Sequence, residues 1–169
     1  MKVAVSLATG FEEIEALTVV DILRRGGVEN TMVSISDDLF VTSARNIMVK
    51  ADASINDINI QEYNMIVLPG GLPGTTNLEA CIPLMEMVDE FDKAGKYVAA
   101  ICAAPSILGH RGIVKGKKAC CYPGYEEDLQ GATVSNQEVE VADHIITSRG
   151  MGCSIPFSLA LLELLKGKE

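Results

Sequence analysis

The chain has 169 residues, close to the size of one domain, with 48% hydrophobic and 22% charged residues. That balance excludes a disordered chain and predicts one compact core spanning residues 1–169. The 14 Lys and Arg against 23 Asp and Glu leave a formal charge of −9, and so acidic a surface repels phosphate backbones, which argues against general binding to nucleic acid or anionic membranes.

No segment reads as an address. Residues 1–8 are apolar, but Gly10, Glu12 and Glu13 follow too early for a signal-peptide core. The longest apolar run, residues 98–104, is far short of a membrane span. A soluble, cytoplasmic protein is expected. Cys81, Cys102, Cys120, Cys121 and Cys153 are odd in number and contain no C-x-x-C, while His110 and His144 stand alone. Neither a disulfide scaffold nor a metal site is therefore expected.

Apolar runs alternate with helical patterns along the chain. Residues 3–8 read as a strand, 14–25 as a helix ended by Gly26-Gly27, and 31–35 as a strand. Residues 40–49, broken by the polar stretch 43–46, suggest a hairpin. Residues 65–68 form a strand running into Pro69-Gly70-Gly71, followed by a helix at 82–93, a strand at 97–101 and a short helix at 105–110. Strand material at 139–148 and an apolar helix at 156–165 complete the order. Such alternation predicts a mainly parallel sheet covered on both faces, a three-layer α/β fold.

Ligands of open α/β sheets bind beyond the carboxyl ends of the strands. Cys102 stands at one such end, between the strand at 97–101 and the helix that Pro105 helps to start, with small Ala99, Ala100, Ala103 and Ala104 beside it. The position resembles a nucleophile elbow in its mechanics, and the helix terminus is expected to lower the thiol pKa. A buried structural cysteine is the alternative. Thr9 and Glu12 read as a capping box for the first helix. On that helix Glu15 falls between Val19 and Ile22 and near Ala16, not on the polar sector of Thr18, Asp21 and Arg25. Burial there would raise its pKa and suit it to acid–base work, whereas an ordinary first-turn glutamate would only favour the helix dipole. Gly70-Gly71 is either a plain turn or a source of backbone N–H groups for an oxyanion; it lacks the G-x-G-x-x-G of a dinucleotide site.

Four motifs, residues 10–15 (GFEEIE), 67–71 (VLPGG), 99–105 (AAICAAP) and 147–150 (TSRG), resemble the ThiJ/PfpI superfamily, in the branch that includes the human parkinsonism-associated protein and bacterial deglycase and glyoxalase III proteins. The resemblance covers nearly the whole chain. It implies a flavodoxin-like sandwich, a homodimer and no metal or organic cofactor. It further implies Cys102 as the reactive thiol, a largely protonated Glu15 donating to it, and Gly71 and Ala103 giving N–H groups to an anion pocket near Arg45 and Arg149. The human member has histidine where this chain has Tyr122, and protease-type members have histidine where it has Ala103, so a Cys-His peptidase has no evident base here. Tyr122 becomes a candidate substrate contact. Two functions follow as expectations: a cofactor-independent enzyme acting on 2-oxoaldehydes such as methylglyoxal or on their protein adducts, or a redox-responsive stress protein whose Cys102 oxidises to sulfinic acid; the breadth of the family adds a holdase chaperone with little catalysis.

Overall fold

Strand β1 (Lys2–Leu7) is the strand around which the chain is wound, and five of its six residues are buried. In the computed structural model, which describes residues 1–167, it is followed by helix α1 (Glu13–Arg25) and strand β2 (Glu29–Ser34). A hairpin of β3 (Phe40–Thr42) and β4 (Met48–Lys50) leads to β5 (Ala53–Ser54). Next come β6 (Met65–Leu68), helices α2 (Gly74–Ala80) and α3 (Ile82–Ala94), strand β7 (Tyr97–Ile101) and helix α4 (Pro105–His110). The short pair β8 (Lys118–Ala119) and β9 (Thr133–Val134) precedes β10 (Val139–Ala142), β11 (Ile145–Ser148) and helix α5 (Ser154–Lys166).

The main sheet has the order β10-β11-β7-β6-β1-β2-β5 and is parallel except for β10 against β11. Its register separates two cores. Val5, Val67, Ala99 and Ile146 lie in one row across four strands and pack with Val19 and Leu23 of α1 and Phe157 and Leu161 of α5. Their neighbours Ala4, Ile66 and Val98 point to the other face, against Leu84, Val88 and Phe91 of α3 and Ile107 of α4. Strands buried on both sides read as continuous apolar runs, which is why β6 and β7 were clear from sequence.

The winding places the site. The chain first builds outward from β1 to β2 and β5, then returns to β6 and β7 on the other side of β1. The loops after β1 and β6 therefore diverge and leave a crevice at the sheet's carboxyl edge, the topological switch point.

Three local expectations change. The helix starts at Glu13, with Glu12 as its N-cap accepting from the Ile14 N–H at 3.3 Å, so Thr9 and Glu12 form no capping box. Residues 9–11 turn instead, because Gly10 adopts φ 88° and Phe11 is drawn wholly into the core. Helix α2 was not foreseen; Gly74 opens it against the backbone of Gly10 and Phe11, where a Cβ would lie 2.6 Å from the Phe11 nitrogen. The strand material near residue 143 resolves into a β10–β11 hairpin turned at Asp143, φ 55°. Among the described residues no helix is long and apolar enough to cross a membrane, and no cluster of His, Cys, Asp or Glu has the geometry of a metal site.

His110, at the end of α4, lies between Glu79 at 2.5 Å and Asp128 at 2.9 Å, and these carboxylates raise its pKa above the usual value. A raised histidine pKa gives stability that is complete below the unfolded value of about 6.5 and is lost as pH rises through the folded value. His110→Asn should thus lower the melting temperature near pH 5.5 and change it little near pH 8.5; an equal loss at both would show that the ion pairs do not contribute.

Candidate active site

Cys102 follows β7 with φ 67°, a left-handed conformation that is uncommon for a side chain bearing a Cβ. Its backbone is fixed at both ends: the N–H donates to Ser148 O at 3.0 Å, and the carbonyl accepts from the Tyr122 N–H at 2.8 Å. The thiol is thereby turned off the end of β7, while the buried Ala103 and Ala104 leave room for the bend.

Glu15 reaches the same point from α1. It is 1% exposed, and its Oε1 accepts from the Gly70 N–H at 2.9 Å, while Oε2 is buried without a partner in full hydrogen-bond geometry. Gly70 lies between the two groups. A Cβ there would sit 2.6 Å from the Cys102 Cβ and 2.7 Å from Glu15 Oε1, so only glycine lets thiol and carboxyl share this space. Gly71, φ 91°, presses against the Glu12 nitrogen, where a Cβ would lie at 2.5 Å.

The electrostatics follow from this packing. Desolvation pushes the Glu15 pKa up to about 7, with Glu12 adding to the rise and hydrogen bonding to Cys102 and Gly70 opposing it. The carboxyl therefore keeps its proton well above the usual carboxylate range. Desolvation and the Glu15 charge push the Cys102 thiol up to about 12, against the N–H groups of Ala103 and Gly71, which favour thiolate. The expected lowering of the thiol pKa by the helix terminus is not met, because burial beside a carboxylate outweighs two N–H donors. The two groups are coupled, each shifting the proton affinity of the other.

A cavity of about 340 Å³ opens over this pair. Arg45 lines it, its guanidinium donating over a long 3.5 Å to the Ala44 carbonyl. Tyr122 lines it too, its ring packed over Gly150. Two sequence expectations fail here. The Gly70 N–H is already given to Glu15 and is not available to a ligand. Arg149 is not among the cavity's lining residues; its Nη1 donates to the Asn136 carbonyl at 3.4 Å. Leu72, Tyr125 and Met151 line the cavity and were not singled out, although each lies within three residues of a position that was. Glu12 lines it as well as capping α1. His110 and His144 are held elsewhere, His144 by Asp92 at 2.7 Å, and no imidazole lines the cavity. A second cavity, about 350 Å³, lies beyond β1 and β2 next to Cys81, but no charged side chain lines it.

A buried carboxyl coupled to an accessible thiol, with N–H donors at the sulfur, can move a proton as a carbon–sulfur bond forms. Comparison with known proteins agrees with the likeness read from the motifs. The DJ-1/PfpI family profile matches residues 1–164. Protein DJ-1 homolog B of Arabidopsis thaliana is 42% identical over 99% of this chain, though the chain spans only about two fifths of the length of it and of its paralogue, homolog A. The glutathione-independent glyoxalase DJR-1.2 of Caenorhabditis elegans is 31% identical over 94% of this chain and 84% of its own length. Oxidised DJ-1 of Toxoplasma gondii superposes with a TM-score of 0.94 at 36% identity, over 99% of this chain and 91% of that one, which gives the fold its flavodoxin-like class. With its motifs placed around one buried carboxyl–thiol pair, the chain belongs to the DJ-1/PfpI family.

Proposed function

We propose that this protein is a cysteine-dependent enzyme that converts 2-oxoaldehydes such as methylglyoxal to 2-hydroxy acids, and that it acts by the same chemistry on the adducts they form with proteins. The observation that carries this reading is the coupling of Glu15 to Cys102 across Gly70. A relative named as a glutathione-independent glyoxalase supports it.

The steps need no external oxidant or cofactor. Glu15 carboxylate takes the thiol proton as the Cys102 sulfur adds to the aldehyde carbon; the carbonyl π electrons move to oxygen, which the N–H groups of Gly71 and Ala103 steady and which then takes the proton back. Glu15 next removes the proton from the former aldehyde carbon, the electron pair passes to the neighbouring carbonyl oxygen to give an enediol, and the proton from the first carbon's hydroxyl ends on that second oxygen. Glu15 then delivers its proton to the second carbon as the first becomes a carbonyl, so that the first carbon is oxidised and the second reduced, leaving a thioester. Water cleaves the thioester to the hydroxy acid and restores the thiol. Tyr122 is placed to hydrogen-bond substrate, but with a reference pKa of about 10 a phenol is a poor base near neutrality.

A second reading, a redox-responsive protein, is supported by the two N–H donors at the sulfur, which would also hold a sulfinate. It needs the same thiol and does not need proton exchange at Glu15. The five free cysteines support a reducing compartment, and with it a cytoplasmic location. Exposed Ile14, Ile47 and Met48 support a homodimer as the assembled form.

Cys102→Ser should abolish lactate formation from methylglyoxal in the absence of glutathione, whereas Cys81→Ser should not; full activity in Cys102→Ser would end both readings. Glu15→Gln should lose turnover while peroxide still oxidises Cys102, because the amide donates a hydrogen bond but exchanges no proton. Since Glu15 must be ionised to accept the thiol proton, wild-type kcat/KM should rise with pH through about 7; a profile flat from pH 5 to 8 would exclude Glu15 as the base. A carboxyl raised from 4.5 to about 7 by folding stabilises fully below the lower value and loses that stability as pH rises through the higher one. Above pH 7 Glu15→Gln should accordingly be more stable than wild type by up to about 3 kcal/mol, vanishing below pH 4.5. Tyr122→His should raise aldehyde turnover if absence of an imidazole limits the rate, and no gain would place the limit elsewhere.

A further inference from the structure

The cavity over Cys102 is larger than methylglyoxal requires. Its roughly 340 Å³ holds about eleven water-sized groups at about 30 Å³ each, and methylglyoxal would fill about half of that. The excess space is apolar. Leu72, Tyr122 and Met151 line it and are 56%, 50% and 58% exposed, so three large apolar side chains converge on one opening without burying each other. Tyr125 adds a second ring, brought to the same cavity by the Pro123-Gly124 turn, where Gly124 has φ 105°. The ionisable side chains on the wall, Glu12, Glu15 and Arg45, carry more acid than base, so the wall disfavours an anionic substituent.

We infer that the site is built for 2-oxoaldehydes carrying a neutral aryl substituent, with the ring seated between Tyr122, Tyr125, Leu72 and Met151 while the aldehyde carbon meets the Cys102 sulfur. The inference rests on the aldehyde chemistry proposed above and names its substrate class. Aromatic rings prefer offset or edge-to-face contact with one another, and each apolar group enclosed adds binding that a methyl substituent cannot supply.

Two measurements test it together. The first is the ratio of kcat/KM for phenylglyoxal to that for methylglyoxal, which should be at least tenfold in favour of the aryl substrate. Leu72→Ser and Met151→Ser should each reduce this ratio about three- to tenfold, whereas Ile82→Ser, on an exposed position of α3 outside the cavity, should leave it unchanged. The second is the rate at which iodoacetamide alkylates Cys102, followed by mass spectrometry with acetophenone or with acetone present. Acetophenone cannot be turned over, and it should slow alkylation at concentrations where acetone does not. Failure of turnover with both aldehydes, but protection by acetophenone, would reject the enzymatic reading and keep the aryl site. A ratio of one or less with no protection would overturn the inference, as would Leu72→Ser and Met151→Ser variants that change only self-association.

Discussion

Everything at the site depends on a carboxyl buried against a thiol, beside a glycine whose missing side chain leaves room for both. Removing Glu15 from water disfavours its charge, and the Gly70 N–H compensates one oxygen only. The remaining cost appears as a proton held near neutrality, the range in which acid–base catalysis is most useful. The same charge makes the thiol a poor acid when Glu15 is ionised, so the proposed reaction draws on proton transfer within the pair and not on a free thiolate. Folding stability is lower for it above neutral pH. A carboxyl kept in so costly a place is hard to explain by structure alone.

The fold supplies the rigidity that this arrangement needs. Two apolar cores grip the sheet from both faces, and the strands that carry the site, β6 and β7, lie wholly within it. Cys102 can hold a left-handed conformation because its amide and carbonyl are bonded to two other segments, at Ser148 and Tyr122. The reversal of winding direction at β1 opens the crevice, and α1 enters it with Glu15 one turn inside its start. Segments distant in the chain thus meet at one cysteine.

Much of this was readable in the chain. The apolar runs at β6 and β7 and the small residues around Cys102 located the strand ends, and helical phase alone put Glu15 on the buried arc. What could not be read depends on packing between distant segments. The start of α1 is set by Phe11 entering the core, which overrides the local Thr9–Glu12 signal. Helix α2 begins at a glycine that propensity disfavours, where close contact with Gly10 excludes a side chain. The direction of the Cys102 shift reflects a balance between desolvation and N–H donation that spacing cannot weigh. Arg149 was placed in the anion pocket from a motif match, and only the path of the chain beyond β11 shows it bonded to Asn136.

Glu15 retains its proton near neutrality because of where it is buried. Labelling glutamate carboxyl carbons with ¹³C and following their NMR shifts with pH, with Glu15→Gln to assign the resonance, measures this without reference to any substrate. A midpoint near 7 is the predicted result. A midpoint near 4.5, the ordinary value for a solvated glutamate, would contradict it and remove the basis for proton transfer between Glu15 and Cys102.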